Sequence, residues 1–475
     1  GSGLAAQQLG AQAAGEPAAD PYPHLTEVPE GYTGLYTPED LEKVNEDLAG
    51  NYILMNDIEI PGGGVDENNH SNIVSNFNSI GWMNTNPDFT GIFDGNGYTL
   101  SNLFIEYGDG LFCRVEGTVR NLNVQGVVSS GGANYVGGIT GSLNSGTIEN
   151  CTFDGQVILS VGESSNIDPH AAGGIAGNGG GYIRNCANYG DVAAAPAVYQ
   201  ETAPEHTVYL GGIAGQWSGG LDRIPVLENC ANYGNVILTY DGPATVGGVL
   251  GYGDSLYTLD INACFNAGSL YVSQTEEAAG KAVTVGGVVG ELASGSNPST
   301  MTNVYNTGYW DIHSPADLCL GGVAGALTEA TLTGAYNTGT VFHDSGAAIG
   351  GIAGRLDDQS TLDAVYFPEL YASARADAEV SDGRHTWDEL RQSQTYTALQ
   401  QPAWAFEEGG LYPYPQLTDN PYRAFRQGAG TEADPYRVRT MQELNAVRHQ
   451  LSAHFRLEQD ITCTTDHNGS NPVNT

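Results

Sequence analysis

Short apolar segments headed by a glycine pair recur along the chain. Each runs Gly-Gly-aliphatic-x-Gly, and successive copies are 36, 38, 36, 39, 35 and 29 residues apart. Their first glycines are Gly137, Gly173, Gly211, Gly247, Gly286, Gly321 and Gly350. A repeat of this size predicts a solenoid, because one unit cannot bury its own apolar face and must stack on the next.

The second half of each unit contains two apolar columns that are three residues apart. Aligned on the glycine that follows, the first column is Leu100, Val119, Ile148, Ile183, Leu227, Ile261, Met301, Leu332 and Leu362. The second is Leu103, Leu122, Cys151, Cys186, Cys230, Cys264, Val304, Ala335 and Val365. The faces of a strand alternate with period two, so a spacing of three predicts a bend between the columns.

Asparagine dominates the predicted bend. It stands there in Asn102, Asn121, Asn150, Asn185, Asn229 and Asn303, and the exceptions are Ala263, Gly334 and Ala364. Asparagine tolerates the left-handed backbone that such a bend requires. A second asparagine column, formed by Asn188, Asn232, Asn266, Asn306 and Asn337, predicts amide hydrogen bonds from one coil to the next.

These columns predict an all-β fold, a right-handed parallel β-helix of about ten coils with short helical caps. At roughly 4.8 Å per coil, the rod would be on the order of 50 Å long. Residues 1–30 are expected to be a flexible N-terminal segment and 31–60 a helix–strand cap, in which Thr37 caps a helix that begins at Pro38. The β-helix is expected over 61–368 and a C-terminal cap subdomain over 369–428.

The cap pattern returns near the C-terminus. Thr440, Leu444, Val447, Leu451 and Phe455 match Thr37, Leu41, Val44, Leu48 and Tyr52 with a constant offset of 403 residues. Residues 429–475 are therefore predicted to begin a second, truncated unit of the same kind.

The charge of the chain limits its partners. Sixteen Lys and Arg against 55 Asp and Glu give a net charge of -39, which argues against nucleic acid and anionic membranes as partners. No apolar run is long enough for a membrane span, so no membrane insertion is expected. The four column cysteines share their positions with Leu, Val and Ala, which predicts buried, reduced thiols.

Acidic residues are the candidates for catalytic groups and for metal ligands. Arg120, Glu149, Arg184 and Glu228 alternate in sign from coil to coil, which predicts a charge ladder on an outer sheet face. Glu149 and Asp154 are the one candidate glycosidase pair, but their spacing does not establish the distance that a retaining mechanism needs, and no catalytic residue is assigned. The acidic loops Asp66–Asn69 and Asp357–Asp358 are candidate calcium ligands; otherwise no cofactor or metal site is predicted.

An aromatic column follows the second apolar column in four consecutive units, at Phe265, Tyr305, Tyr336 and Tyr366. Rings at sheet spacing can stack on one another as structure. They can also form a platform for a ligand, since tyrosine is enriched at recognition surfaces. These four residues are the predicted ligand-binding surface.

The repeated Gly-Gly-Ile-Ala-Gly and Ile-x-Asn-Cys-x-Asn-x-Gly-x-Val segments, together with Phe93-Asp94-Gly95-Asn96-Gly97-Tyr98-Thr99-Leu100, resemble the GLUG-motif repeat proteins. The resemblance implies a secreted or cell-surface bacterial protein. Similar repeats accompany metallo-type immunoglobulin A1 peptidases, whose catalytic part carries His-Glu-x-x-His. None of the ten histidines forms that motif, so zinc chemistry is not transferred.

Two classes of function fit these observations. The first is a non-catalytic module that acts as an adhesin, a ligand-binding arm or a spacer toward a host or bacterial surface protein or glycan. The alternatives are a glycan-active β-helix enzyme and an accessory region of a larger peptidase.

Overall fold

The computed structural model describes residues 24–65, 73–82, 87–131, 133–162, 168–196, 206–219, 224–255, 258–295, 297–344, 347–371, 383–399, 402–406, 414–422, 430–438, 444, 447 and 453–458. Within them the chain winds as a parallel β-helix, as predicted, because each strand pairs in parallel with the equivalent strand of the next coil. The strands of successive coils form four rows, here called rows 1 to 4, of which row 3 begins only at Tyr135. The right-handed winding stays a prediction.

Rows 1 and 2 lie on either side of the asparagine bend. Row 1 contains Thr33–Leu35, Asn51–Leu54, Ile92–Asp94, Thr118–Arg120, Thr147–Glu149, Tyr182–Arg184, Val226–Glu228 and Asp260–Asn262. Row 2 contains Ile58–Glu59, Thr99–Glu106, Asn123–Ser129, Thr152–Val161, Ala187–Asn188, Asp191–Pro196, Ala231–Asn232, Val236–Leu238, Phe265–Asn266, Leu270–Ser273, Tyr309–His313 and Thr340–His343. The strands Ser299–Asn306, Ala330–Asn337 and Thr361–Pro368 run through both rows, and Arg384–His385 pairs with the last of them.

Rows 3 and 4 lie on either side of the glycine-headed turn. Row 3 contains Tyr135–Gly137, His170–Gly173, Val208–Gly211, Ala244–Gly247, Ala282–Gly286, Asp317–Gly321 and Ile349–Gly350. Row 4 contains Asp88–Phe89, Phe112–Val115, Thr140–Leu143, Ala176–Gly179, Ala214–Gly219, Leu250–Ser255, Val289–Ser294, Ala324–Thr328 and Ala353–Leu356.

The short elements outside the rows begin with the N-terminal cap. Its helix Pro38–Lys43 has the predicted cap at Thr37, whose side chain accepts a hydrogen bond from the Asp40 amide. The other helical turns in the described residues are Val44–Glu46, Glu276–Ala278, Trp387–Leu390 and Ser393–Tyr396. Two short strand pairs also lie outside the rows, Gly64–Val65 with Ile73–Val74 and Trp404–Ala405 with Gln416–Leu417. Among the described residues, no helix has the length and apolar character to cross a membrane.

The strand pairing confirms the predicted core column and bend from the second unit onward. Val119 pairs with Ile148, Ile148 with Ile183, and the column continues to Leu362. The bend residues have left-handed backbone, with φ of 53° at Asn121 and 49° at Asn185.

The prediction for the first unit is wrong in register. Phe93, and not Leu100, pairs with Val119, while Leu100 pairs with Val124 in row 2. The segment around Asn102 imitates the motif, because Asn102 also has a positive φ of 57°. Local sequence identifies a bend, but the hydrogen bonds between coils decide to which column the bend belongs.

The inner asparagine column forms the predicted ladder. The Nδ2 of Asn188 donates to the Oδ1 of Asn232 at 2.9 Å, and the same bond repeats through Asn266 and Asn306 to Asn337. Their side chains are buried, so each amide is satisfied by the neighbouring coil and by its own turn. The second glycine of each glycine-headed turn faces this ladder: a Cβ on Gly212 would lie 2.2 Å from the Cγ of Asn232.

A strand pair near the C-terminus reproduces the first strand pair of the rod. Tyr436–Val438 pairs in parallel with Phe455–Leu457, as Thr33–Leu35 pairs with Asn51–Leu54. All three paired positions are related by the same offset of 403 residues. This register is what a second copy of the N-terminal cap would produce.

Candidate functional site

The predicted aromatic surface lies in one column, but it is buried. The rings of Phe265 and Tyr305 stack at 4.6 Å, and those of Tyr305 and Tyr336 stack at 4.8 Å, each pair 4° from parallel. Phe265, Tyr305, Tyr336 and Tyr366 are 1%, 6%, 0% and 5% exposed. A ligand platform needs exposed ring faces, so the prediction that these four residues bind a ligand is corrected: they form an internal seam.

The seam is covered by residues 383–399, 402–406 and 414–422, here called the strap. Trp404 lies 6.0 Å from the ring of Tyr305 and 5.8 Å from that of Tyr336, and Tyr396 lies 4.8 Å from the ring of Tyr366. The burial of so many rings makes this contact a second hydrophobic core on the side of the rod.

Polar contacts extend the strap along the rod for several coils. The Nε1 of Trp404 donates to the Oδ1 of Asn303 at 2.9 Å, and the Nδ2 of Asn420 donates to the carbonyl of Ala263 at 2.8 Å. The hydroxyl of Tyr422 donates to the carbonyl of Asn185 at 2.7 Å. The segment predicted as a C-terminal cap subdomain therefore runs back along the side of the rod.

The strap also lies next to two exceptions in the bend column. The bend amides link Asn185 to Asn150 and Asn229 to Asn185, each at 3.1 Å. Asn420 contacts the bend where Ala263 replaces asparagine, and a Cβ on Gly334 would lie 3.6 Å from the Nε1 of Trp404. The strap thus contacts small bend residues as well as the bend asparagines Asn185 and Asn303.

The predicted charge row lies on row 1 with its members in adjacent coils. Arg184 pairs with Glu228 at 3.3 Å, while Arg120 pairs with Asp94 of the preceding coil at 2.8 Å. The exposed Arg184–Glu228 pair is worth at most about 1 kcal/mol, whereas the carboxylate of Asp94 is buried.

Calcium binding stays a prediction. The candidate loop Asp66–Asn69 lies outside the described residues. At the other candidate, the Oδ1 of Asp357 accepts a hydrogen bond from the Ser360 amide at 2.9 Å, so this carboxylate already closes a turn. Among the described residues, no group of three His, Cys, Asp or Glu side chains is placed to hold a metal ion.

A concave surface that the sequence did not reveal lies between rows 3 and 4. Thr245 and Thr284 point away from the core, yet they are only 7% and 8% exposed. A Cβ on Gly290 would lie 2.6 Å from the Cγ2 of Thr245, and one on Gly325 would lie 2.5 Å from that of Thr284. The third glycine of the motif therefore lets rows 3 and 4 approach each other on the outer surface of the coil. We call the furrow between them, at Thr245, Thr284, Gly290 and Gly325, the crease.

Two tyrosines from different rows meet in the crease. Tyr209 in row 3 and Tyr252 in row 4 stack at 4.5 Å with 12° between their rings, and both are half-buried. Along row 4, Tyr252 has Gln216 as its neighbour in the preceding coil and Glu291 in the following coil.

Carboxylates act on both tyrosines of the crease. Burial, together with the charges of Asp254 and Glu291, raises the pKa of Tyr252 to about 12. Burial also raises the pKa of Tyr209, to which Glu291, Asp168 and Asp254 contribute. Burial raises the pKa of Glu291 as well, against the nearby guanidinium of Arg355, whose Nη2 lies 3.5 Å from the Glu291 Oε1.

Sequence reasoning missed the crease because its residues stand at two unrelated places in the unit. One signal was available: Tyr135 and Tyr209 stand two positions before the first glycine of the turn, where a polar or aromatic residue alternates with buried aliphatic ones. Alternation of this kind marks an outward position. It does not show that another row faces it.

The comparison with protein families agrees with the repeat. The family model of the GLUG motif matches residues 132–158, and no curated protein matches the chain. Among solved structures, a candidate immunoglobulin A1 protease from Bacteroides ovatus is similar at 19% identity with a TM-score of 0.43, over 81% of this chain and 91% of that chain. A structure named IgA1 Protease is similar at 16% identity with a TM-score of 0.41, over 65% of this chain and 22% of that chain.

The matched stretch has a structural counterpart. Residues 132–158 contain the row 3 strand Tyr135–Gly137, the row 4 strand Thr140–Leu143, the row 1 strand Thr147–Glu149 and the start of the row 2 strand Thr152–Val161. It is thus one circuit of the coil, and the chain carries a GLUG motif in this parallel β-helix, as its glycine-headed repeat predicted.

Proposed function

We propose that this protein is an extracellular bacterial β-helix module that acts as a non-catalytic arm, binding a host or bacterial surface protein or glycan. The GLUG motif and the fold support a repetitive rod. The ladders and the strap support a rigid one, because buried amide bonds and ring stacking connect successive coils.

The observation that carries the proposal is the Tyr209–Tyr252 pair in the crease. Tyrosine presents a large apolar ring and a polar hydroxyl at little entropic cost, which suits recognition. The aromatic seam is already occupied by the strap, whereas the two crease rings keep part of their surface exposed. Concave placement lets a ligand contact both rows at once.

The test is a binding screen with the whole chain on arrays of glycans and surface proteins and on intact mucosal and bacterial cells. We expect a bound partner, and we expect the double substitution Tyr209→Ser and Tyr252→Ser to reduce its binding. Tyr189 and Tyr233 stack at 4.9 Å beside the seam, so Tyr189→Ser is the matched control and should retain binding. Failure of the folded wild-type chain to bind any target would overturn the proposal.

A glycan-active enzyme is the second candidate, favoured by the environment of Glu291. Its pKa is raised by burial while Asp254, close enough to influence it, is exposed. Two carboxyls with different environments are what acid–base cleavage of a glycosidic bond uses. The test is release of reducing ends from a polysaccharide panel: turnover abolished by Glu291→Gln would establish this candidate, and a panel without turnover would remove it.

A further inference from the structure

The crease combines aromatic faces with carboxylates at one point of the rod. Tyr252 and Asp254 are two residues apart on the same outward face of a row 4 strand, and Glu291 is the partner of Tyr252 in the next coil. Glu291 keeps 23% of its side chain exposed. A neutral ligand would bury this carboxylate further without compensation, whereas a cation would compensate it.

The chain already places a cation at this point. In row 4, Glu291 pairs with Ala326 in the next coil, and Ala326 pairs with Arg355 in the coil after that. Its guanidinium reaches back over the small Ala326 to Glu291 at 3.5 Å, while 60% of its side chain stays exposed. Because the pair is long and its arginine is largely exposed, it is weak, so a ligand can replace it.

From this charge complementarity we propose that the crease binds an extended basic peptide segment, with an arginine or lysine side chain held between the Tyr252 ring and the carboxylates of Asp254 and Glu291. A guanidinium over a tyrosine face gains cation–π attraction, and the flanking carboxylates supply charge-assisted hydrogen bonds. The net charge of -39 attracts basic partners from a distance. The inference rests on the proposed binding function and names the chemistry of its partner.

The experiment measures the fluorescence anisotropy of three labelled octapeptides with the whole chain at about 0.15 M salt, where long-range attraction is screened. The peptides alternate serine with arginine, glutamine or glutamate. We expect only the arginine peptide of the three to bind. Glu291→Gln and Tyr252→Leu should each weaken its affinity about tenfold. The matched controls are Glu228→Gln, which removes the same charge from row 1, and Tyr189→Leu, and each should change affinity less than about twofold.

A third variant tests the role of the internal cation. Arg355→Ala should raise the affinity for the arginine peptide, while Arg184→Ala, which removes an equal charge beside Glu228, should not. Equal effects at the two positions, or equal losses in Glu291→Gln and Glu228→Gln, would mean unspecific attraction and would overturn the inference. If the array screen finds a partner but the arginine peptide does not bind, this inference fails and the binding function stands; if the chain binds neither an array target nor the peptide, both fail.

Discussion

The column cysteines show how one residue type suits one position of the coil. The Sγ of Cys186 lies 3.6 Å from the carbonyl oxygen of Ile148 and 3.1 Å from that of Arg184, and its one S–H can donate to either. Equivalent contacts occur at Cys151, Cys230 and Cys264. The left-handed bend leaves these carbonyls facing a narrow space, and a small apolar side chain with a weak donor fits it.

The first prediction concerns the reactivity of these thiols. Burial raises the pKa of Cys186 and that of Cys264 well above the ordinary value, and the thiolate is the reactive form. We expect Cys151, Cys186, Cys230 and Cys264 to be labelled slowly by iodoacetamide in the native protein and rapidly in denaturant. Rapid labelling of the native protein, or a disulfide among the four detected by mass spectrometry, would contradict their assignment as buried, reduced core residues.

The second prediction compares a core residue with a surface residue of the same strand row. Ile183→Asp places an unpaired charge between Ile148 and Leu227, all three of which are buried, and should lower the free energy of unfolding by more than about 4 kcal/mol. Glu149→Gln on the outer face should change it by less than about 0.5 kcal/mol. Urea titrations of both variants measure the difference. Similar losses of unfolding free energy would mean that the assignment of Ile183 to the core and of Glu149 to the outer face is wrong.

At the scale of the element, the glycine-headed turn and the asparagine ladder depend on each other. A Cβ on Gly248 would lie 2.3 Å from the Cγ of Asn266, so the amide occupies the space that glycine leaves. The Nδ2 of Asn266 also donates to the carbonyl of Gly268 at 3.0 Å, which closes its own turn. The two motifs of the sequence are thus two sides of one contact.

The third prediction follows from this contact. Asn266→Ala removes the acceptor of the Asn232 amide and the donor to Asn306, leaving buried polar groups unpaired, and should cost about 2–5 kcal/mol. Asn188→Ala should cost less, because its neighbour in the preceding coil is Phe153, which has no amide to donate. Thermal melts of the two variants test which one loses more stability. A larger loss of stability in Asn188→Ala would contradict the stabilising role of the asparagine ladder.

At the scale of the whole molecule, the strap joins coils that are far apart in the chain. Asn185 and Tyr422 are 237 residues apart, and Asn303 and Trp404 are 101 apart. Such contacts hold only after the coils have stacked. The strap therefore stabilises the finished rod and covers an apolar column that would otherwise be exposed.

The fourth prediction tests the strap. Tyr336→Ser and Trp404→Ala each remove a buried ring from the seam, and each should cost about 3–5 kcal/mol and increase binding of an apolar dye. Because the two rings are 5.8 Å apart, the double variant should lose less than the sum of the single losses. Tyr36→Ser, at a 52% exposed tyrosine, is the control. Single variants as stable as this control would show that the strap contributes little.

The sequence by itself determined the parallel β-helix, the core column from Val119 onward, the left-handed bends, the inner ladder and the capped first helix. Each depends on residues that repeat at a fixed spacing or lie within a few positions, so the pattern records the physical constraint directly. Only the tertiary structure decided the register of Phe93, the burial of the predicted aromatic surface and the existence of the crease. These depend on which strands exchange hydrogen bonds, on a strap that follows the seam tens of residues later, and on two rows that close on the outside of the coil. A column of tyrosines reads the same in a sequence whether solvent or another segment of the chain covers it, because the pattern of one element does not encode what packs against its outer face.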